Sequence, residues 1–107
     1  MEVSKKDWKL FIEKIAGWQE NYMDQLNREY IALLSSEEGN PSDRFWKLEE
    51  RIKKDRRHPG VILEKRKSHV LFDIVDLIRL KVITIDDLDG FSEELKERVR
   101  LLLETRI

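Results

Sequence analysis

The sequence has no cysteine and little proline or glycine, with two and four residues. Without cysteine there is no disulfide framework, no thiolate nucleophile and no cysteine-based zinc site, a composition that fits the reducing cytoplasm. The first seven residues carry charges of both signs and no apolar run, so no secretory signal is predicted. The mean hydropathy of −0.59 leaves no stretch of about 20 apolar residues, which excludes a transporter or another membrane-spanning class.

Charged residues make up 40% of the 107 positions and hydrophobic residues another 40%. Leu, Ile, Val and Phe form roughly a third of the chain, above the roughly 20% below which chains stay disordered. A single helical domain over residues 1–107, acting in the cytoplasm, is therefore predicted. A domain of this size has modest stability, which pairing with a second copy or another protein would raise.

The first predicted helix spans residues 4–35 and opens on Ser4 and Asp7, a capping pair. Apolar residues then recur every three or four positions, as on one face of a helix. At 1.5 Å per residue this helix is about 45 Å long, longer than a globule of this size is wide, so it needs a long neighbour. Its aromatic-rich stripe is predicted to be core or a self-association seam: Trp8, Phe11, Ile15, Trp18, Tyr22, Leu26 and Tyr30.

A second helix is predicted over residues 41–57, where Asn40 caps and Pro41 takes the first helical position. The short connection before it favours antiparallel packing on the first helix. The spacing of its apolar residues predicts that an inner face packs against the rest of the chain. That face consists of Phe45, Leu48, Glu49 and Ile52.

The last part of the chain predicts three further helical segments. A third helix is predicted over residues 60–81, with Ser68 as an alternative start. Thr84 and Asp87 open a short turn over 85–89 that Gly90 closes, and Ser92 caps a helix over 93–104. The predicted fold class is all-α, a helical bundle with a long N-terminal helix, an antiparallel second helix, a third helix and a short C-terminal helical pair.

The net charge of −1 conceals a strong segregation of charge along the sequence. Residues 1–50 carry −4, residues 51–67 carry +6 and residues 68–107 carry −3. The middle segment is named here the basic elbow, and it has two interpretations. Its cations are solvated or paired with acids of the same or a second chain, or they form a surface for an anionic partner such as nucleic acid. Its members are Arg51, Lys53, Lys54, Arg56, Arg57, His58, Lys65, Arg66 and Lys67.

No motif for catalysis or metal binding is complete. The acids before Gly90 suggest an EF-hand loop, but with Gly90 at its sixth position the first is Ile85 and the twelfth Lys96, where carboxylates are required. His58 and His69 lack the spacing of a zinc site. No catalytic residue, metal ligand or cofactor is therefore predicted, and the chain is expected not to be an enzyme.

Three stretches resemble a family of short, uncharacterised helical proteins from gut and other Firmicutes bacteria: FWKLEERIKKD at 45–55, HPGV at 58–61 and VITIDDLDGFS at 82–92. The resemblance covers nearly the whole chain and implies no activity and no site residues. Members are sometimes labelled multidrug transporters, which the composition contradicts. Residues 71–103 are also similar to short C-terminal helical hairpins that act in oligomerisation, where glycine stands near the position of Lys81.

The function expected from the sequence is a non-enzymatic protein–protein interaction or regulatory module that forms a homodimer through the first helix. The alternative is a small nucleic-acid-binding regulator that uses the basic elbow. A third hypothesis, a mobile-element protein that binds a host enzyme through the acidic arms, is not separated from the first by any sequence feature. No small-molecule substrate and no membrane partner are indicated.

Overall fold

The structure, a computed structural model, describes residues 3–105, which are helical or irregular and contain no strand. Four α-helices form: α1 (Lys5–Ser35), α2 (Pro41–Asp55), α3 (Val70–Arg79) and α4 (Glu93–Glu104). Single 3₁₀ turns precede α3 at Lys67–His69 and α4 at Ile85–Leu88. The all-α prediction is confirmed, and α1, α2 and α4 each begin within one residue of the predicted start. Across residues 3–105, no helix is both long and apolar enough to span a membrane.

The helix starts follow from the predicted caps. Ser4 Oγ accepts a hydrogen bond from the Asp7 N–H at 3.1 Å, and Ser92 Oγ accepts one from the Leu95 N–H at 3.1 Å. The Asp43 carboxylate accepts from the Asn40 N–H at 3.0 Å, which fixes the turn into α2. These bonds satisfy backbone N–H groups that a helix start leaves without a partner.

The predicted third helix over 60–81 begins too early. Residues 62–66 are irregular, Arg66 is extended with φ −129°, and α3 starts only at Val70, close to the alternative start at Ser68. The physical reason lies in the residues that follow Gly60. Three adjacent apolar residues have no helical spacing, and the cations at 65–67 would oppose the positive N-terminal end of a helix dipole.

The described residues divide into two compact units. The core unit comprises the chain up to Trp18 and from Glu64 onward, and the two-helix unit comprises Gln19–Leu63. α1 contributes its first half to the core unit and its second half to the two-helix unit. The core unit buries most of the apolar interior, where α3 packs on α4. That interior consists of Phe11, Ile15, Trp18, Val70, Leu71, Ile74, Val75, Leu77, Ile83, Leu88, Phe91, Leu95 and Val99.

One buried carboxylate joins the two chain segments of the core unit. Asp7 is 3% exposed, and its oxygens accept hydrogen bonds from the Ser92 N–H at 2.9 Å and from the Ser92 hydroxyl at 2.6 Å. Ser92 also caps α4. The first turn of α1 is therefore bonded directly to the start of α4, across 85 positions of sequence.

α3 ends on a strained residue. Lys81 has φ +63°, the left-handed region in which a Cβ crowds the backbone. The Val82 N–H donates to the Leu77 carbonyl at 2.8 Å and the Lys81 N–H to the Ile78 carbonyl at 3.0 Å, the bond pattern of a helix that ends on a left-handed residue. Glycine is the residue that usually occupies this position.

Lys81→Gly is expected to raise the free energy of unfolding by about 1 kcal/mol, because glycine adopts positive φ without steric cost. Urea denaturation followed by circular dichroism measures the change. Lys81→Ala is the matched control, since it removes the same side chain and keeps the Cβ. An equal gain from both variants would show that the lysine side chain, and not the backbone, carries the strain.

Candidate functional site

A polar network in the two-helix unit connects α1 to α2. Arg51 lies 3.0 Å from the Glu29 carboxylate and 3.4 Å from the Asp55 carboxylate, with its guanidinium 5.5 Å from the centre of the Tyr30 ring. The Tyr30 hydroxyl donates to Asp55 at 2.5 Å. Burial and this hydrogen bond raise the pKa of Tyr30 to about 12, so the phenol stays protonated and keeps donating.

The loop after α2 is fixed to the same part of α1. The His58 imidazole stacks on the Tyr22 ring with centroids 4.6 Å apart, and His58 Nδ1 accepts from the Gly60 N–H at 3.0 Å. Gln19 donates through its amide to the Pro59 carbonyl at 2.9 Å. A Cβ on Gly60 would lie 2.4 Å from the Tyr22 ring, so this close approach of backbone to ring requires glycine.

Burial lowers the pKa of His58 from its ordinary value of 6.5, and the nearby Asp55 offsets this only in part. The folded chain therefore holds a neutral imidazole, whereas the unfolded chain binds a proton below pH 6.5. The His58 contribution to stability is present above that pH and is lost as the pH falls toward the lower pKa of the folded state. We expect the urea midpoint to fall between pH 7.5 and pH 5.5.

His58→Asn is expected to reduce this fall, because asparagine has an acceptor for the Gly60 N–H and no proton to gain. His69→Asn, which removes the exposed histidine near Asp73, is measured in parallel and gives the share of the fall that does not involve His58. An undiminished fall in the His58 variant would assign the pH dependence to other groups.

The apolar side of α2 is exposed. None of the residues 41–55, all of which the structure describes, is buried. Phe45 is 61% exposed and Ile52 44%, although their spacing predicted an inner face, and Trp46 beside them is 60% exposed. Leu34 on α1 is 48% exposed. The correction concerns Phe45 and Ile52, since Leu48 and Glu49 of the predicted inner face are half-buried. Periodicity identifies an apolar face, but it does not show how much of that face another helix covers.

The predicted basic elbow falls into two parts that belong to different units. Arg51 to His58 lie in the two-helix unit, whereas Lys65, Arg66 and Lys67 lie in the core unit. Several of these cations are paired within their own unit: Arg51 as above, Lys53 with Glu49 at 2.9 Å, and Arg66 with Glu64 at 2.8 Å. His58 stacks on Tyr22. These pairings account for four of the nine predicted residues without any ligand.

The remaining elbow cations present their charge to solvent. Lys54, Arg56 and Arg57 are exposed at the end of α2, and among the residues described no carboxylate lies within 4 Å of them. Lys65 is exposed and Lys67 half-buried in the core unit, again with no such carboxylate in the described chain. The three cations at the end of α2 form the densest patch of uncompensated positive charge in the two-helix unit.

The predicted self-association seam is mostly occupied by the chain itself. In the core unit Phe11 and Ile15 are fully buried and Trp18 is 8% exposed, with rings in contact with Trp8 and Phe91. These three residues of the stripe are core, and Trp8 is half-buried. In the two-helix unit Leu26 is buried, whereas Tyr22 and Tyr30 are half-buried and hold the contacts to His58 and Asp55.

One cavity of the core unit contains a carboxylate. A cavity of about 250 Å³ is lined by Val3, Ser4, Asp7, Leu71 and Ser92 among others, and the Asp7 carboxylate in it is already bonded to Ser92. Between residues 3 and 105, no three His, Cys, Asp or Glu side chains lie close enough together to hold a metal ion.

Comparisons with family models, curated proteins and solved structures give no match. Function therefore has to be inferred from the surfaces of the chain itself. The exposed apolar side of the two-helix unit, with Leu34, Phe45 and Ile52, departs from an ordinary solvated face.

Proposed function

We propose that this chain is a non-enzymatic protein-interaction module that acts in the cytoplasm and binds protein through the apolar side of its two-helix unit. The observation that carries the proposal is that α2, a 15-residue helix with regular apolar spacing, has no buried residue. Helices in globular proteins derive most of their stability from packing an apolar face. The exposed face of α2 is therefore the place where another protein surface is missing.

Apolar residues of both helices lie on one side of this unit. Met23 follows Tyr22, which stacks on His58 in the loop after α2, and Ile52 follows Arg51, which pairs with Glu29 of α1. The contacts pair Tyr22 with His58 and Glu29 with Arg51, so the order along one helix is the reverse of that along the other.

One position turns a helix by about 100°. The two helices run in opposite directions. A residue that follows a contacting residue therefore lies on the same side of the two-helix unit in both helices. Leu34 and Phe45 each follow a half-buried residue, Leu33 and Arg44, so they extend this side toward the turn between the helices. The resulting docking face consists of Met23, Tyr30, Leu34, Phe45, Leu48 and Ile52.

The proposal is tested by affinity capture from a lysate of the source cells at about 0.15 M salt, with Phe45→Ser/Ile52→Ser as the test variant. Burying each such side chain contributes about 1.5–3 kcal/mol, so we expect retention of bound proteins to fall by at least tenfold. Phe72→Ser/Leu101→Ser is the matched control, because these residues of the core unit are 53% and 55% exposed.

The control variant is expected to retain the wild-type partners, and circular dichroism confirms that each variant is folded. Equal retention by the wild type, the control and the test variant would contradict the assignment of the face. Other copies of the chain count among the captured proteins, so an untagged copy is included in the lysate.

A second candidate function, nucleic-acid binding, is favoured by the uncompensated cations Lys54, Arg56 and Arg57. Affinity carried by phosphate contacts falls linearly on a log–log plot against salt, with a slope of about −0.9 per contact on duplex DNA. A triple change of these residues to glutamate is expected to abolish a mobility shift seen at low salt. Absence of any shift with DNA or RNA for the wild type would eliminate this candidate.

A further inference from the structure

We infer that the docking face is covered by a second copy of this chain, arranged so that α1 of each copy lies against α2 of the other. The inference rests on the proposed function, because it identifies the occupant of the same face. It is argued from three properties of the two-helix unit: how little it buries, the size of its face and the charges of its two helices.

The two-helix unit buries too little to be stable alone. Within residues 19–63, all of which the structure describes, only Leu26 and Gly60 are buried. Units of about 40–60 residues are marginal even with a full core, and smaller ones commonly depend on oligomerisation. If the unit folds only when another protein covers its apolar face, that protein has to be present whenever the chain is present. A second copy meets this condition by definition.

The size of the face fits such an interface. A helix of 15 residues is about 22 Å long, and two neighbouring helices about 10 Å apart present a face about 20 Å wide. The projected area, about 450 Å² before side-chain relief is counted, is of the same order as the roughly 800 Å² per partner that a stable protein interface buries.

The charges of the two helices select the arrangement. Residues 19–35 carry three acids and one base, a net −2, whereas residues 41–57 carry four acids and seven bases, a net +3. In a like-against-like arrangement, α1 of one copy packs against α1 of the other and α2 against α2. This arrangement places an acidic helix against an acidic one and a basic helix against a basic one. Packing α1 against α2 of the second copy opposes unlike charges at 8–10 Å, about one Debye length at physiological salt.

This arrangement fixes which positions meet. The contacts of Tyr22 with His58 and of Glu29 with Arg51 show which levels of α1 and α2 coincide, and they place Leu34 level with Phe45. With the two-fold axis parallel to the helices, Leu34 of one copy faces Phe45 of the other. In the like-against-like arrangement these positions lie at opposite ends, and the residue at the middle of α2, Leu48, lies near its own counterpart.

The absence of cysteine allows a direct test by disulfide trapping. A tagged Leu34→Cys chain is mixed with a Phe45→Cys chain of different mass under mild oxidation, and sedimentation of the wild type is measured at tens of micromolar. We expect a dimer, and a mixed disulfide at least tenfold more abundant than with Phe72→Cys, an exposed position of the core unit. A disulfide forms only where the two Cα atoms approach within about 7 Å.

Two other outcomes overturn the inference. A dimer that lacks the mixed disulfide, or one in which Leu48→Cys chains crosslink to each other instead, has the wrong arrangement. A wild-type monomer at tens of micromolar shows that a second copy is not the occupant. In either case the capture experiment with the Phe45/Ile52 variant still decides whether the face binds another protein, so the two failures are distinguishable.

Discussion

Replacing Asp7 with alanine is expected to lower the free energy of unfolding by about 3 kcal/mol, the largest loss from a single polar side chain of this protein. Asp7 is 3% exposed and accepts two hydrogen bonds from Ser92, from the backbone N–H and from the hydroxyl. Hydrogen bonds to a charged group contribute about 1.5–3 kcal/mol each, and they are not fully additive. Without the carboxylate, the Ser92 donors lose their acceptor where water has little access.

Urea denaturation followed by circular dichroism measures this loss. Asp24→Ala is the matched control, because Asp24 is an exposed acid of the same helix, 3.1 Å from Arg28 in a surface ion pair. Such pairs contribute about 0.3–0.5 kcal/mol, so the control should be nearly neutral. Asp7→Asn keeps one acceptor oxygen and is expected to fall between the two. A loss in Asp7→Ala no larger than in Asp24→Ala would show that Ser92 finds another acceptor.

Gly60→Ala is expected to lower the free energy of unfolding by about 2 kcal/mol, the usual cost of forcing extra atoms into an occupied space. The added Cβ would lie 2.4 Å from Tyr22 Cδ2, so the ring or the loop has to move. The stack of Tyr22 on His58 should then be lost, which removes the ring-current shift of the His58 protons in an NMR spectrum. Thermal denaturation gives the change in stability.

Gly17→Ala is the control for the same substitution at a site with space. A Cβ on Gly17 meets no atom within 4 Å, and Gly17 lies inside α1. Alanine in a helix interior is favoured over glycine by about 1 kcal/mol, so this variant is expected to be more stable than the wild type. The prediction for Gly60 is wrong if both variants are stabilised.

The local signals of the sequence predicted local structure well. Pro41 and Asp43 mark the start of α2, Thr84 and Asp87 open the turn before α4, and Ser92 caps that helix as expected. Each of these signals acts over three or four residues, so no knowledge of the rest of the fold is needed. At α3 the preferred start at residue 60 lies ten residues before Val70, whereas the alternative start at the local signal of Ser68 lies two residues before it.

Contacts between distant segments were beyond the sequence pattern. The bond from Ser92 to Asp7 joins residues 85 positions apart, and Asp7 has an ordinary local explanation as an acid in the first turn of a helix. Likewise, Arg51 has a local explanation as a cation near a helix end, although its partner Glu29 lies on another helix. Because a local role already explains why each of these residues is present, the sequence offers no reason to predict a distant partner.

The exposed face of α2 also shows what a local sequence pattern does not predict. A hydrophobic stripe in the sequence indicates that one face of a helix is apolar, but it does not indicate which residues pack against that face. The stripe of α1 became core at Phe11 and Ile15, whereas the equally regular stripe of α2 stayed exposed at Phe45 and Ile52. The difference arises because α3 and α4 supply apolar partners in the core unit, and the two-helix unit holds no third helix.

The division of α1 between two units has a consequence for the chain during synthesis. The core unit needs residues on both sides of 19–63, so it cannot close until α3 and α4 have left the ribosome. Until then Phe11, Ile15 and Trp18 have no cover, and the segment already made is the one with the fewest buried side chains. Exposed apolar surface of this kind makes a nascent chain prone to aggregation and a substrate for chaperones. The core unit is therefore most vulnerable during synthesis before α3 and α4 have emerged from the ribosome.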